Sequence, residues 1–238
     1  VFLTLLSVSQ LAVSLVNFLS TLFVKPHLLP RLDFSKSIPI KFRTLVVIPV
    51  MLSSEKEIEN LLDALEVRFL ANRNDNLHFG LLTDFTDAAH ESIPEDQPLI
   101  DLAQQRIDGL NKKYKRKNND LFYLFHRPRL WNPKENCWMG YERKRGKLLD
   151  LNALLRGEAK DRFSVIVGNS SIFPQIKYVI TLDADTRLPL GSAWKLVGAM
   201  AHPLNQAWYD ERKKRVTKGY GILQPRVSVS LSAETGSL

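Results

Sequence analysis

The segment that decides the fold is Tyr178–Pro189, which reads YVITLDADTRLP. It opens with an apolar, β-branched run that is typical of a strand buried on both faces of a parallel sheet. Asp183 and Asp185 follow at once, and Thr, Arg and Pro then form an ordinary turn composition. The segment therefore predicts a strand that delivers an acidic pair to one edge of a sheet.

Earlier segments extend this pattern towards the N-terminus. Apolar runs predict three more strands, at Thr44–Pro49, Leu77–Thr83 and Leu121–Phe125. Amphipathic spacing predicts helices from an N-cap at Ser54 to about Leu70, over Gln97–Lys115, and near Lys147–Gly157. Strands that alternate with helices predict an α/β protein with a mostly parallel sheet flanked by helices.

Ligands of such sheets bind beyond the carboxyl ends of the strands. The residues that follow the predicted strands should therefore converge on one edge: Pro49, Asp84, Arg127 and Asp183.

The N-terminus has a different character, because residues 1–24 contain no charged side chain. As a helix they would extend roughly 36 Å, enough to cross a bilayer. We expect a transmembrane helix over residues 1–24, a proline-containing juxtamembrane connector over 25–41, and the folded domain over 42–238. Basic residues after the span predict that this domain is cytoplasmic.

Composition excludes several classes of protein. The 238 residues include one Cys, and 45% are hydrophobic, which excludes a disulfide-stapled miniprotein and a disordered chain. With 33 Lys and Arg against 25 Asp and Glu, the net charge is +8. This charge admits nucleic acid, anionic lipid or a phosphate-bearing substrate. Aromatic residues do not interleave with the basic runs as a single-strand binding surface requires, so no nucleic-acid partner is expected.

The acidic pair predicts a divalent cation site. Two carboxylates after a buried strand repel each other, and partial desolvation adds to that cost. Mg²⁺ or Mn²⁺ would relieve the conflict, since both prefer carboxylate oxygens and share their coordination shell with phosphates. A plain turn is the alternative interpretation.

Two enzyme classes use such a pair. In a phosphatase of the haloacid-dehalogenase type, Asp183 would be the nucleophile. That class places the motif near the start of its domain, however, whereas here it follows the fourth predicted strand. In a nucleotide-sugar transferase, a cation held by the pair would bridge the diphosphate, Asp84 would bind the base, and Pro49 would close the wall beneath it. A non-enzymatic, membrane-anchored nucleotide-binding module also stays open.

A basic segment, Glu142–Lys147, lies just upstream of the acidic strand. Its cations could approach a diphosphate from the opposite side, and Gly146 would allow close backbone approach. A solvated charge run is the alternative interpretation.

Taken in order, five segments resemble the glycosyltransferase domain of the cyclic β-1,2-glucan synthases: TLVVIPVML, LLTDFTDA, MGYERKRGKLLDLNALLRG, YVITLDADTRLP and GILQPRV. Those are bacterial inner-membrane proteins related in fold to the cellulose-synthase-like transferases. The resemblance implies a GT-A (Rossmann-like) fold that uses UDP-glucose and Mg²⁺ or Mn²⁺ to extend a glucan acceptor. A β-1,4-glucan or chitin synthase remains an alternative, because donor-site residues do not encode the linkage.

The same resemblance implies individual donor-site roles. Pro49 and Asp84 would line the uridine pocket, and Arg145 and Lys147 would lie near the diphosphate. Asn152 would support the donor pocket.

On the metal and acceptor sides, the resemblance gives Asp183 a contact with the nucleotide and makes Asp183 and Asp185 the metal ligands. Gln224 would lie near the acceptor channel. Inverting transfer also needs a general base on a later helix. The setting of Glu234 does not resemble such a helix, so we expect the base beyond Leu238. The chain would then be a C-terminally truncated domain with donor-site residues and incomplete catalytic machinery.

Overall fold

The computed structural model describes residues 2–23, 28–114 and 120–225, apart from the side chains of residues 2–7. The chain divides into two compact units, Val1–Pro30 and Arg31–Leu238. Helix α1 of the first unit runs from Phe2 to Phe23. Within the described residues, no helix is both long enough and apolar enough to cross a membrane. The predicted transmembrane assignment of residues 1–24 is therefore not confirmed, and its two end residues lie outside the described part.

The second unit alternates strands and helices. Its α-helices in the described residues are α2 (Glu55–Ala71), α3 (Asp96–Lys113), α4 (Arg143–Leu155) and α5 (Ser192–Ala201). Its strands there are β1 (Thr44–Leu52), β2 (Leu77–Phe85), β3 (Phe122–His126), β4 (Leu130–Asn132), β5 (Cys137–Met139), β6 (Val165–Val167), β7 (Tyr178–Thr181), β8 (Trp208–Asp210) and β9 (Arg215–Lys218). Short 3₁₀ turns occupy Ile40–Phe42, Lys160–Arg162, Ser170–Gln175 and Pro203–Asn205.

The central sheet has the strand order β6-β3-β2-β1-β7 among the described residues. Strands β3, β2, β1 and β7 are parallel, and Thr44 lies opposite both Leu77 and Tyr178. The edge strand β6 runs antiparallel to β3. The predicted mostly parallel α/β sheet is confirmed, with its four parallel strands near the predicted positions.

The core lies on both faces of this sheet, as expected for a parallel sheet flanked by helices. Val46 and Ile48 belong to a cluster that includes apolar residues of α2, α3 and α5. Leu45 and Val47 belong to the other cluster, which includes residues of α4 and of Ser170–Gln175. Alternate β1 side chains thus bury themselves against opposite helical layers.

The predicted connector, residues 25–41, contributes to the core. Phe34 and Ile38 are buried in the cluster with α2, α3 and α5. The division into compact units accordingly falls at Pro30, before both residues.

One local expectation was wrong. Helix α4 begins at Arg143, about one turn before the predicted start near Lys147. Glu142 adopts a left-handed conformation (φ 50°) that turns the chain into the helix, so the basic residues form its first turn. The polar and aromatic segment before it contains the β4–β5 hairpin, with Trp131 opposite Trp138.

Candidate functional site at the carboxyl edge of the sheet

The carboxyl ends of the parallel strands bring the predicted site elements to one edge. Asp84, the penultimate residue of β2, lies opposite Met51 of β1. Strand β7 ends at Thr181, and Asp183 and Asp185 follow in a turn closed by a hydrogen bond from the Thr186 N–H to the Asp183 carbonyl (3.0 Å). Two differently built charged groups result, one buried and one exposed.

The buried group, here called the buried charge cluster, consists of Asp84, Arg127, Lys147 and Asp150. Lys147 Nζ donates to Asp84 Oδ1 at 2.7 Å and to the Val50 carbonyl at 2.6 Å. Arg127 donates to Asp84 Oδ2 at 3.2 Å and to Asp150 Oδ2 at 2.6 Å. All four residues are buried. Both oxygens of Asp84 are therefore engaged with cations.

Desolvation governs the electrostatics of this cluster. Burial lowers the pKa of Lys147 below its ordinary value, while the adjacent Asp84 carboxylate opposes that shift. Buried ions persist only where they are paired and hydrogen-bonded, a condition that this cluster meets. Gly140 lets the backbone pass directly over the cluster, since a Cβ there would overlap Asp84 Oδ2.

The exposed group, here called the acidic turn, is Asp183–Thr186. The expectation that its carboxylates are partly desolvated was wrong, because both aspartates lie beyond the end of β7 and are exposed. Lys144, in the first turn of α4, pairs with Asp183. Two accessible carboxylates on one turn are hard oxygen donors of the kind that Mg²⁺ and Mn²⁺ take together with phosphates, so the residues fit the predicted ion.

The basic segment divides between the two groups. Lys147 is buried against Asp84, and Lys144 reaches Asp183. The side chain of Arg145 is 78% exposed and pairs with Glu142 at 3.3 Å. Lys147 is thus joined to the end of β2, whereas the ion pair of Arg145 among the described residues lies within its own segment.

Pro49 lies in β1 opposite Leu82, beyond the last pair that joins β1 to β7, Val47 and Thr181. A residue without an N–H is tolerated where one side of a strand lacks a ladder partner. Pro49 is half-buried at the same edge as Asp84.

Two other predicted residues lie elsewhere. Asn152 lines a cavity of about 520 Å³ together with Lys177, which precedes β7. Asp183 follows β7, so this cavity lies toward the opposite end of the strand. Gln224 is exposed after β9, and no hydrogen bond or ion pair among the described residues joins it to the site.

A further set of possible ligand atoms comes from Asp87, Glu135 and Cys137, which lie within 4.8 Å of one another. Arg143 already pairs with Asp87 at 2.8 Å and with Glu135 at 3.4 Å. These carboxylates therefore have a cationic partner within the chain.

Sequence reasoning missed several residues that build the edge. Arg129 is 1% exposed and forms a two-point ion pair with Asp96 (2.5 and 2.9 Å), while its Nε donates to the Thr86 carbonyl at 2.6 Å. It thereby fixes the loop after β2. Asp150 and Arg68 were also missed, although each is a charged residue on the apolar face of a helix. A charge at a core position was the available signal.

Comparison with known proteins gives the context for this edge. No protein-family model matches the chain. The chain is 41% identical over 233 residues, or 98% of its length, to cyclic β-(1,2)-glucan synthase NdvB of Rhizobium meliloti (strain 1021). It spans 8% of that protein's length. The resemblance found in the sequence is confirmed: this chain is a glucan synthase-related domain, homologous to one segment of a cyclic β-(1,2)-glucan synthase.

Proposed function

We propose that this chain is the donor-binding part of a glucosyltransferase domain that takes glucose from UDP-glucose to extend a β-1,2-glucan. The observation that carries the proposal is the exposed acidic turn at the carboxyl edge of a parallel sheet. The identity to a glucan synthase over 98% of the chain supports it.

Asp183 and Asp185 would hold Mg²⁺ or Mn²⁺. Such a cation, when bound, supplies the positive charge that a departing diphosphate needs. Lys144 pairs with Asp183 and would bring a second positive charge to the same turn. Arg145, exposed one residue further along α4, is free to swing towards a phosphate because its partner Glu142 lies at the surface.

The buried charge cluster would act as the floor of the nucleotide pocket. Lys147 joins the Val50 carbonyl of β1 to Asp84 of β2, so the ends of these strands cannot move independently. Pro49 and these strand ends would form the wall under the base. Because both Asp84 oxygens already accept hydrogen bonds from cations, we assign Asp84 mainly to this support, and its contact with uridine stays a prediction.

The remaining steps also stay predictions. These are the inverting course of transfer, the general base, the role of Gln224 beside the acceptor, and the location at a bacterial inner membrane with the bilayer as a partner.

Calorimetric titration of the 238-residue chain with UDP and UDP-glucose, with and without Mn²⁺, tests the proposal. We expect binding that requires Mn²⁺ and weakens at least about 10-fold in Asp185→Ala. Asp108→Ala is the matched control, because Asp108 is an exposed carboxylate on α3. Binding that ignores both Mn²⁺ and Asp185→Ala would overturn the proposal.

A further inference from the structure

We propose that Arg68 is a positioning residue for the acidic turn: a buried guanidinium on α2 that fixes the backbone between Asp183 and Asp185 in the arrangement that metal-bound nucleotide requires. This inference rests on the proposed function and identifies a residue outside the predicted donor site.

The contacts of Arg68 alternate along the turn. Its Nη2 donates to the Ala184 carbonyl at 2.6 Å and to the Thr186 carbonyl at 2.8 Å, and its Nε donates to Thr186 at 3.1 Å. These carbonyls flank Asp185 on either side. A planar fork of donors can hold two carbonyls at once in a fixed relation, which a single-point donor cannot.

One helical turn later, Asn72 continues the same restraint. Its Nδ2 donates to the Leu188 and Pro189 carbonyls at 3.1 and 3.2 Å, and its Oδ1 accepts from the Ala193 N–H at 3.0 Å. The last turn of α2 and the residue after it therefore fix the chain from the acidic turn to the start of α5.

The charge of Arg68 requires an explanation, since the residue is 6% exposed. Among the described residues, no carboxylate forms an ion pair with it, and its Nη1 has no hydrogen-bond partner. Burial lowers the pKa of Arg68, while the negative charge of Asp185 opposes the shift. A buried cation is costly unless the surrounding charge compensates it. The acidic turn supplies that compensation, and the attraction acts equally on Asp185.

This arrangement lowers the cost of binding a cation. Asp183 and Asp185 repel each other, so a free turn would separate them or vary in shape. A guanidinium hydrogen-bonded to the turn from the core holds the backbone in place. Preorganisation of this kind improves affinity because less freedom is lost when the ligand binds.

Two variants separate the fork from the charge. Arg68→Met keeps most of the side-chain volume and removes the guanidinium, whereas Arg68→Lys keeps a positive charge on a single-point donor. Arg73→Met is the control, because Arg73 is an exposed arginine just after α2 whose guanidinium lies over the rings of Phe69 and Tyr114.

The experiment measures two quantities on each protein: the Kd of UDP in the presence of Mn²⁺, and hydrogen exchange of residues 183–192 without ligand. For Arg68→Met we expect Kd to rise at least about 10-fold and exchange to accelerate by a similar factor. Arg68→Lys should recover part of both, and Arg73→Met should change neither by more than about twofold.

Each outcome decides between the claims. If the wild-type chain binds Mn²⁺ and UDP and Arg68→Met binds them equally well, this inference fails while the proposed function stands. If exchange accelerates without a change in Kd, Arg68 supports the fold alone and the inference also fails. If the wild-type chain shows no metal-dependent binding of UDP, the proposed function fails, and the inference about Arg68 fails because it depends on that function.

Discussion

The buried charge cluster and the acidic turn lie at the same edge of the sheet, but the carboxylate of Asp84 is buried in the first and those of Asp183 and Asp185 are exposed in the second. The side chain of Asp84 is 2% exposed and is held by two cations, whereas that of Asp183 is 61% exposed and pairs with Lys144 at the surface. Charges that are fully paired away from water can support structure but have little capacity left for a ligand. Charges held at the surface by their backbone keep that capacity.

The difference originates in how the backbone presents each carboxylate. Asp84 lies within β2, where its side chain must find partners inside the protein. Asp183 and Asp185 lie beyond β7, and the interior supports them through the carbonyls of their turn instead. The two regions should therefore respond differently to mutation, the cluster in stability and the turn in ligand affinity.

The largest expected effect comes from breaking the buried cluster. Arg127→Met would leave Asp84 with one cation and remove the buried partner of Asp150. We expect a loss of about 3–5 kcal/mol in the free energy of unfolding, measured by urea titration at pH 7. Arg145→Met is the control: it removes a largely exposed arginine and should cost less than about 0.5 kcal/mol. Equal losses in the two variants would contradict the scaffold role.

The next effect comes from crowding the cluster without removing a charge. In Gly140→Ala the new methyl would overlap Asp84, which two cations hold in place, so the backbone must move. We expect a loss near the upper end of overpacking costs, about 3 kcal/mol. Gly109→Ala, on α3 with open space around it, should instead gain about 0.5–1 kcal/mol. A neutral Gly140→Ala in the same urea titrations would show that Asp84 is loosely held.

A third effect appears as pH falls. Burial lowers the pKa of His126 to about 3, with Asp96 opposing the shift and Arg129, Lys147 and Arg127 adding to it. The folded state thus keeps His126 neutral. The stability linked to this neutral form is fully present above the unfolded-state pKa of about 6.5, and it is lost as pH falls from there towards 3. Between pH 7 and 5 the wild-type chain should lose about 2 kcal/mol from this group. His126→Leu should lose correspondingly less over that interval, and an identical pH dependence in the two proteins would refute the assignment.

The smallest effect belongs to the acidic turn. Lys144 and Asp183 form a pair whose side chains are 51% and 61% exposed. Lys144→Gln should change the free energy of unfolding by less than about 0.5 kcal/mol. Repeating the urea titration at high salt should remove the difference, because exposed pairs are screened. A loss of several kcal/mol in the free energy of unfolding would mean that the acidic turn stabilises the fold as much as the buried charge cluster does.

The sequence was sufficient to locate the strands and the helix start at this edge that have a continuous apolar run or a capping residue. The apolar runs of β1, β2, β3 and β7 predict buried parallel strands, and Ser54 caps α2 as expected, accepting from the Glu57 N–H. Strands of three residues, such as β6, carry too little pattern to be predicted.

The site was harder to predict because the start of α4 determines which of its basic side chains face the interior and which face solvent. The left-handed conformation of Glu142 starts α4 early, and this start decides that Lys147 is buried while Arg145 is exposed. No local pattern in ERKRGK specifies that φ angle. Arg68 shows the converse case, since a charge on an otherwise apolar helix face is visible in the sequence, but its partners, the carbonyls of a turn more than 110 residues away, are not.

One measurement tests the division between the two regions most directly: the affinity of Asp183→Asn/Asp185→Asn for UDP with Mn²⁺, determined beside its free energy of unfolding. We predict an affinity at least about 100-fold below that of the wild-type chain. The loss of stability should be smaller than that of Arg127→Met, because the double variant removes part of the charge compensation of Arg68 but breaks no buried ion pair. A double variant that binds UDP with Mn²⁺ as tightly as the wild-type chain would contradict the assignment of the acidic turn as the metal and donor site.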